Sequence, residues 1–407
     1  MDLRDLKILY VCTDFPYPPT SGGLVDMWNR IQTLHGLGVT IDLIVTVAAD
    51  PPASAREVLG GLVRRLIIAY RDRTIRGLLS LRSGQAEIRR SLRSVNLTED
   101  YDAVVMQTEY VSDILRNKTL RAKTCAIRVD NDECAYYLES AKAEASWFLK
   151  LYYLQEALRV RALSARILPE ADALWFVSQD ELCRYRERHA GSDQLLAFLP
   201  TSVNLSLLDT PSLDGRRVLF VGNLWANLNR EALEWYVANV HQRLRDVPGY
   251  ELLVAGSARG RGCSWLDRLV SSHSNIIAHL DTEDLTPFYR SSAAFVNPMR
   301  RGAGVKLKTI EAVLRGLPLI STTTGAAGSG LVETLHYRRA DTEDRFAAQV
   351  REVLLNKEMG REMVGNAQRF VMDQYDQRKV LGRLLSDLVR RSPGVGDELQ
   401  AAAPASL

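Results

Sequence analysis

The sequence predicts an α/β protein with two domains, each a parallel sheet covered by helices. The chain has 407 residues, which is more than one hydrophobic core usually organises. Short apolar runs alternate with helical periodicity in both halves of the chain. Between the halves, residues 199–216 lose that periodicity and contain Pro200, Pro211 and Gly215, which is typical of a linker.

Five strands are predicted in the first half, with loops and helices between them. They fall at residues 7–13, 39–47, 102–107, 124–129 and 173–177. A turn-rich stretch with Pro16, Pro18, Gly22 and Gly23 follows the first strand and leads into a helix at residues 25–37. Because strands alternate with helices, we expect a parallel sheet with helices on its faces.

The second half repeats this pattern. Its predicted strands fall at residues 217–221, 251–255, 275–280, 293–297 and 318–321. Further helices are predicted after residue 346, and the last one, at 377–391, is expected to pack back on the first domain across a cleft between the sheets. The predicted organisation is a first domain at 1–205, a second at 206–375, a returning helix at 376–392 and a disordered tail at 393–407.

The composition is that of a globular protein with no strong bias toward nucleic acid. Hydrophobic residues make up 46% of the chain and charged residues 25%, and the formal net charge is +3. The five cysteines are scattered, which predicts a reducing compartment rather than a disulfide framework. No apolar run reaches membrane-spanning length and the chain starts without a signal-peptide pattern, so the expected location is the cytoplasm.

One segment, residues 64–93, has a local excess of arginine. Its arginines alternate with apolar residues, and its only acidic residues are Asp72 and Glu87. This pattern predicts either a cationic amphipathic surface that contacts anionic membrane at its inner face, or a solvated arginine face on ordinary helices. A nucleic-acid site ranks last, because Tyr70 is the only aromatic residue available to stack on bases.

The stretch from residue 297 to residue 330 carries the most informative chemistry. A predicted strand ends at Asn297, and a glycine-containing loop at 302–305 then opens a helix. Such a loop presents backbone N–H groups at the positive end of a helix, where cations strengthen the binding of a diphosphate. The nearby cations are Arg300, Arg301, Lys306 and Lys308. Glu311, further along the same helix, is placed to accept hydrogen bonds from ribose hydroxyls.

These residues resemble a known family. The run 304–316, with Glu311 inside it, looks like the donor-binding signature of the retaining family 4 glycosyltransferases of the GT-B fold. Residues 220–224 and 229–233 are similar to the opening strand and helix of that family's donor domain. The resemblance spans roughly residues 6–390 and is strongest around Glu311. It implies two Rossmann-like domains that face a central cleft.

The first half also carries parts of this resemblance. Gly22 and Gly23 look like the family's first glycine loop, and Arg128, Asn131 and Glu133 resemble its acceptor-side motif. The chain departs from the family at three places. The first of the two usual glutamates is replaced by Ala303, the usual basic residue after the first donor-domain glycine is Asn223, and the usual acceptor-side histidine is Asp130.

The resemblance implies a glycosyltransferase that moves a sugar from a nucleotide diphosphate donor to an acceptor hydroxyl with retention of anomeric configuration, in glycan biosynthesis. The acceptor is a glycan, a lipid-linked molecule or a small molecule. The leaving diphosphate takes the acceptor proton, so no side-chain base is required. No metal-binding pair of aspartates separated by one residue is identified in a suitable strand-end loop, so no metal is expected, and no cofactor is expected either. The implied donor residues are Gly22, Gly23, Gly222, Asn223, Arg300, Gly302, Ala303, Gly304, Val305, Lys306, Lys308 and Glu311. The implied acceptor residues are Asp130, Asn131 and Glu133, and the implied catalytic residues are Arg300, Lys306 and Asp130.

Other interpretations of the same residues stay open at the level of sequence. The chain is alternatively a non-catalytic nucleotide-sugar-binding protein, or a nucleotide-sugar epimerase or hydrolase that needs a paired acid and base. Lys308 alternatively pairs with Glu311, and Asp130 and Asp132 alternatively cap a helix. The aromatic residues at 136–153 are predicted to belong to the core rather than to an acceptor platform.

Overall fold

The computed structural model describes residues 2–20, 22–72, 82–130, 132–144, 146–259, 263–282, 284–302 and 304–391. The chain divides into two compact units. The first unit runs to Ser202 and resumes at Gln377, and the second runs from Val203 to Asp376. Each unit is built on one parallel sheet with helices between the strands, so the predicted fold class of two Rossmann-like domains is confirmed.

The first unit contains seven parallel strands in the order β3-β2-β1-β4-β5-β6-β7. The strands are β1 (Lys7–Cys12), β2 (Thr40–Val47), β3 (Arg65–Tyr70), β4 (Asp100–Met106), β5 (Arg121–Val129), β6 (Ala173–Phe176) and β7 (Leu195–Phe198). The central strands are apolar and buried almost throughout, as in β2, because helices cover both faces of a parallel sheet.

The helices of the first unit follow the strands along the chain. They are α1 (Gly22–Gly36), α2 (Ala53–Gly60), α3 (Gly84–Glu87), α4 (Glu133–Ala143), α5 (Trp147–Ile167) and α6 (Gln179–Arg188). Short 3₁₀ helices lie at Leu3–Asp5, Arg90–Ser94, Glu109–Arg116 and Leu168–Glu170. None of the described helices combines the length and the hydropathy needed to cross a membrane.

The second unit contains six parallel strands in the order β10-β9-β8-β11-β12-β13. The strands are β8 (Arg217–Val221), β9 (Glu251–Gly256), β10 (Ile276–Leu280), β11 (Ala294–Asn297), β12 (Leu319–Ser321) and β13 (Arg338–Arg339). The helices are α7 (Asn227–Asn239), α8 (Ser264–Ser271), α9 (Thr286–Arg290), α10 (Leu307–Leu314), α11 (Thr323–Ala326), α12 (Glu343–Leu355) and α13 (Lys357–Gln374). Short 3₁₀ helices lie at Leu205–Leu207 and His241–Leu244.

The last helix, α14 (Gln377–Arg390), belongs to the first unit. Gln377 donates to the backbone oxygen of Pro200 at 2.9 Å, and Arg378 donates to that of Gly36 at 2.9 Å. One face of the helix enters the core of the first sheet, where Leu381 and Leu385 are buried. The predicted return of the last helix to the first domain is therefore seen.

The structure corrects the interpretation of residues 64–93. Part of the segment is strand β3, which pairs in parallel with β2, so the helical interpretation is wrong there. The described arginines are largely engaged inside the unit. Ion pairs join Arg64 to Asp42, Arg71 to Asp14, Arg82 and Arg93 to Asp113, and Arg90 to Glu87. Residues 73–81 of the predicted surface lie outside the described residues.

Two other strands, β7 and β13, were not predicted either. Both lie at the edge of a sheet and are short, with four and two residues. A run this short carries little periodicity, and pairing with a neighbouring strand decides its conformation.

Candidate active site

A cavity of about 620 Å³ lies at the carboxyl ends of strands β8 and β9 in the second unit. In an open parallel sheet, these strand ends form the edge where ligands bind. The cavity is lined by Val221, Gly222, Asn223, Asn229, Gly256, Ser257, Asp281, Thr282, Leu285, Met299, Lys306 and Lys308. The lining therefore joins four residues of the predicted donor site, namely Gly222, Asn223, Lys306 and Lys308.

Two glycines allow the ends of β8 and β9 to approach each other at this edge. The amide of Gly222 donates to the carbonyl of Ala255 at 3.1 Å. Gly256 has a φ of +145°, and a Cβ atom there would lie 1.9 Å from the carbonyl oxygen of Gly222. Only glycine fits at position 256. The sequence prediction missed this residue, although a glycine directly after an apolar strand was the available signal.

Lys308 is held in place by a short chain of hydrogen bonds. Its Nζ donates to Asn229 Oδ1 at 2.8 Å, and Asn229 Nδ2 donates to the carbonyl of Asn223 at 3.1 Å. The ammonium group also lies 4.8 Å from the centre of the Phe220 ring. Loss of hydration, together with the smaller effect of the nearby Lys306 charge, lowers the pKa of Lys308 to about 7. An anion in the cavity is therefore expected to draw a proton onto this lysine.

Lys306 organises the glycine-containing loop before helix α10. Its Nζ donates to the carbonyl of Gly302 at 3.0 Å and to that of Gly304 at 2.6 Å. Gly302 and Gly304 have φ values of +116° and +76°, a region that favours glycine. Loss of hydration lowers the pKa of Lys306 to about 8. The two lysines thus place two cations at the wall of one cavity, and Val305, directly before Lys306, is half-buried.

Another part of the cavity lining is shaped by Asp281, which has a φ of +52°. Its Oδ1 accepts hydrogen bonds from the hydroxyl of Ser257 at 2.9 Å and from the amides of Ala258 and Arg259 at 2.8 and 3.0 Å. The Arg259 guanidinium lies 3.7 Å from the centre of the exposed Trp225 ring. Asp281 therefore fixes a turn at the rim of the cavity by satisfying three donors.

Strand β11 is tied to the loops beside it by Asn297, which is fully buried. Its Nδ2 donates to Thr309 Oγ1 at 2.9 Å and to the carbonyl of Gly325 at 3.0 Å. Thr309 Oγ1 donates to the same carbonyl at 2.9 Å. These bonds anchor the first turn of helix α10, which carries Lys308, to the end of the strand.

Glu311 lies on helix α10 but does not line the cavity. Its carboxylate accepts from Arg315 Nε at 3.0 Å, and Arg315 also donates to Thr286 Oγ1 at 2.9 Å. Glu311 therefore pairs with Arg315, one helical turn further along the helix. The alternative pair between Lys308 and Glu311 is not formed. The Glu311 side chain stays about one-third exposed, at 33%.

Arg300 is separated from the two lysines. It lines a second pocket of about 370 Å³ together with Leu228, Glu231, Ala232, Trp235 and Arg301. Its guanidinium lies 5.3 Å from the centre of the Trp235 ring. The structure thus divides the predicted cluster of four cations, with the lysines in the first cavity and the arginines beside the second pocket.

The candidate acceptor residues of the first unit lie near a buried charge network. Asp26 on helix α1 accepts from Arg30 at 2.9 Å and from the amide of Ser202 at 2.9 Å, and it pairs with Arg128 at 2.8 Å. Burial acts to raise the pKa of Asp26, but the charges of Arg128 and Arg30 outweigh burial and hold that pKa below its usual value. Arg128 also pairs with Asp130. Asp130 is therefore held by an ion pair and is not a helix cap.

The helix that follows Asp130 begins with two more acidic residues. Asp132 caps helix α4 by accepting from the amide of Ala135 at 2.9 Å, so the capping interpretation is right for this residue. Glu133 accepts from the hydroxyl of Tyr110 at 3.0 Å. Burial raises the pKa of Glu133 to about 7, although the hydrogen bond from Tyr110 acts to lower it. Burial also raises the pKa of Glu181, which accepts from the amide of Asp132, to about 7.

Two predicted site residues, Asn131 and Ala303, lie outside the described residues. Gly22 and Gly23 start helix α1, and apart from the adjoining residues and the helix's own backbone no atom lies within 4 Å of an added Cβ at either position. The sequence prediction missed Asp26 and Arg30, since two charges four residues apart on a helix usually indicate a solvated pair. Among the residues that the structure describes, no three His, Cys, Asp or Glu side chains are grouped to hold a metal ion.

The two parallel-sheet units, with a cationic cavity at the strand ends of the second, define the class as a GT-B protein. A family model described as Glycosyl transferases group 1 matches residues 215–356, the part of the chain that forms the cavity. A protein of Klebsiella pneumoniae, described as an uncharacterized 44.6 kDa protein in cps region, is 32% identical over 390 residues, covering 94% of this chain and 99% of that protein. The chain belongs to the glycosyl transferases group 1 family.

Solved structures share the same fold at low sequence identity. Sucrose-phosphate synthase from Thermosynechococcus elongatus is 16% identical with a TM-score of 0.63, and the match covers 95% of this chain and all (100%) of that one. The lipopolysaccharide outer core galactosyltransferase WaaB is 13% identical with a TM-score of 0.62, covering 94% and 100%. The Anabaena protein HepE, in complex with UDP and glucose, is 14% identical with a TM-score of 0.58, covering 94% and 100%.

Proposed function

We propose that this chain transfers a sugar from a nucleoside diphosphate sugar to an acceptor hydroxyl, with retention of anomeric configuration and without a metal ion. The observation that carries the proposal is the cavity at the strand ends of the second unit, where Lys306 and Lys308 stand at one wall. A diphosphate is the anion that two cations at the opening of a helix bind well. In the same cavity, Asp281 holds the turn at 257–259, which is assigned to border the rest of the donor.

The roles follow from where the cations lie. Lys306 and Lys308 hold the diphosphate and stabilise the negative charge that grows on it as the bond to the sugar breaks. Arg300 faces the second pocket and is not assigned to the diphosphate. Glu311, one helical turn beyond Lys308, is assigned to the ribose hydroxyls, with Arg315 holding its carboxylate in position. The backbone amides of the loop that contains Gly302 and Gly304 are assigned to the sugar.

In this proposal the acceptor oxygen forms a bond to the anomeric carbon while the bond to the diphosphate breaks on the same face. The acceptor proton passes to the leaving diphosphate, so no side-chain base is needed. Asp130 and Glu133 of the first unit are assigned to acceptor hydroxyl groups. The name of the Klebsiella pneumoniae relative, which contains the words cps region, supports a role in polysaccharide biosynthesis.

One structural observation favours transfer over epimerisation or hydrolysis. Those reactions need a paired acid and base beside the sugar. Among the described residues that line the cavity, Asp281 is the only carboxylate and histidine is absent. The Oδ1 atom of Asp281 already accepts three hydrogen bonds from the rim turn. The cavity therefore lacks, in its described part, the acid and base pair that those activities require.

The first experiment measures nucleotide binding by thermal shift, with UDP, GDP and ADP, each with and without EDTA. UDP is tested first because the Anabaena structure contains UDP. A ligand at one hundred times its Kd stabilises the folded state by about 2.7 kcal/mol, so a selective rise in Tm is expected. The rise should persist in EDTA and shrink in Glu311→Ala, while Glu362→Ala, at an exposed glutamate of helix α13, serves as the control.

Two results would contradict the proposal. A nucleotide-induced shift that EDTA abolishes would show that a metal ion is required. If no nucleotide shifts the Tm, the proposed donor site is contradicted. Once a donor is identified, proton NMR of the transfer product reads the anomeric configuration, and inversion would refute the stereochemical part.

A further inference from the structure

Helix α5 exposes an apolar surface that the first unit does not cover. Side chains of this surface include Phe148 and Leu158, which are 65% and 68% exposed. The α5 surface is defined here as Trp147, Phe148, Leu151, Leu154 and Leu158. The prediction that the aromatic residues at 136–153 belong to the core is therefore wrong for Tyr136, Trp147 and Tyr152, and right for Tyr137, which is buried.

The opposite face of the same helix already supplies the contacts that fold the unit. Ala157 and Val160 are buried against Tyr110 and Tyr137. Glu156 is fully buried and accepts from the hydroxyl of Ser83 and the amide of Gly84, both at 2.7 Å. Because this face satisfies the packing of α5, the exposed apolar residues are not explained by the core of the unit.

Most of the exposed apolar residues share one side of the helix, whereas Leu149, which is 47% exposed, lies on another side. Trp147, Leu151, Leu154 and Leu158 follow the spacing of four, three and four residues that places side chains on a single helical face. From Trp147 to Leu158 the helix rises by about 16 Å, at about 1.5 Å for each residue. At the start of the helix, the rings of Trp147 and Phe148 stack with centres 3.4 Å apart. Aromatic rings of this kind concentrate where a protein meets the headgroup region of a lipid bilayer.

The charges beside this surface are mostly positive. Glu144, three residues before Trp147, is half-buried and accepts from the amide of Ser146 at 2.9 Å. The exposed charged residues of α5 are Lys150, Arg161 and Arg166, and the only acidic residue of the helix is the buried Glu156. On the neighbouring helix α4, the exposed Glu139 is paired with Lys142 at 2.6 Å. An apolar stripe bordered by cations is complementary to a surface of anionic phospholipid.

We propose that the α5 surface binds the face of a membrane that contains anionic phospholipid. The apolar stripe enters the headgroup region, and Lys150 and Arg161 contact lipid phosphates. A second copy of the chain is a poorer partner for this face, because symmetric pairing of two α5 helices brings their cations together. The proposal stands apart from the arginine-rich segment at 64–93, whose described arginines are largely paired within the unit.

The test is sedimentation of the full chain with vesicles of phosphatidylcholine alone and of phosphatidylcholine with phosphatidylglycerol. Binding is expected only to the anionic vesicles and is expected to weaken with salt. The double variant Leu151→Gln with Leu158→Gln should bind at least about ten-fold more weakly. The matched control, Leu335→Gln with Leu355→Gln, replaces two exposed leucines of the second unit and should bind like the wild type.

Two further variants test the geometry. Lys150→Gln with Arg161→Gln should reduce binding about five-fold for each cation removed and weaken the salt dependence. Adding anionic vesicles should shift tryptophan emission to shorter wavelength, and Trp147→Phe should lose that shift while keeping its binding. The proposal is wrong if the wild type does not sediment with anionic vesicles, or if both double leucine variants bind equally. A dimer in solution that the Leu151 and Leu158 variant abolishes would instead assign this face to a second copy.

Discussion

Lys308 illustrates how the surroundings of one side chain determine its charge. It contacts the Phe220 ring, donates to Asn229 and stands near a second lysine, and each of these features follows from packing between β8, α7 and α10. A lysine whose pKa is near 7 binds anions in a pH-dependent way, because the bound anion favours the protonated form. The sequence predicted a cation at this position but contained no signal for its lowered pKa.

We expect donor binding to weaken as pH rises from 7 to 9. Below pH 7 Lys308 is protonated with or without the diphosphate, so binding takes up no proton. Above pH 7 the free protein loses that proton and binding must restore it, which raises Kd by up to about ten-fold per pH unit. Calorimetric titration with a nucleoside diphosphate sugar, whose phosphates do not titrate in this range, measures the effect.

The variant Lys308→Met should raise Kd by about ten-fold or more at pH 7 and flatten the pH dependence, because a charged contact is lost. Lys357→Met is the control, since Lys357 pairs with Asp214 away from the cavity. An unchanged pH profile in Lys308→Met would assign the proton uptake to Lys306 or to another group.

Among the elements, helix α14 shows what sequence periodicity predicts well. Its apolar residues recur at helical spacing, and the structure buries that face among strands of the first sheet. Periodicity served less well at β3, where arginines interrupt an apolar run and the segment was interpreted as helical. Strand β3 forms because β2 offers a full edge of unpaired backbone groups, a partner that lies outside the local window.

Leu385→Ala should destabilise the first unit. The side chain is fully buried in the core of that unit, and its truncation leaves a cavity. The free energy of unfolding should fall by about 2–5 kcal/mol. Leu355→Ala, at a leucine that is 59% exposed in helix α12, is expected to change stability by less than about 0.5 kcal/mol. Urea unfolding followed by circular dichroism compares the two. Equal effects would mean that α14 does not contribute its buried face in solution.

At the scale of the whole molecule, the described part of each unit contains a hydrophobic core of its own. One is formed by residues of the first unit and includes Leu385, and the other lies wholly within the second unit around Phe220 and Phe346. The described part of the cavity is lined only by residues of the second unit. Stability and ligand binding are therefore expected to be linked most directly within that unit.

Hydrogen exchange followed by mass spectrometry tests this expectation. Saturating nucleotide should slow exchange in β8, β9 and α10, because ligand binding must be lost before the strand ends of the second unit open. Strands β2 and β3, far along the edge of the first sheet, should exchange at an unchanged rate and serve as the internal control. Equal protection in both units would show that nucleotide binding and unfolding are coupled through the entire chain.

The sequence by itself determined the α/β class, the two-domain division, most of the strands and the glycine-containing loop with its lysines. These features follow from alternation, periodicity and local residue chemistry, which a short window of sequence contains. Only the tertiary structure decided that Lys306 and Lys308 share a cavity while Arg300 lies elsewhere, that Gly256 must be glycine, and that α5 has an uncovered apolar face. Each of these depends on which distant segments meet, and contacts between distant segments are set by packing rather than by local pattern.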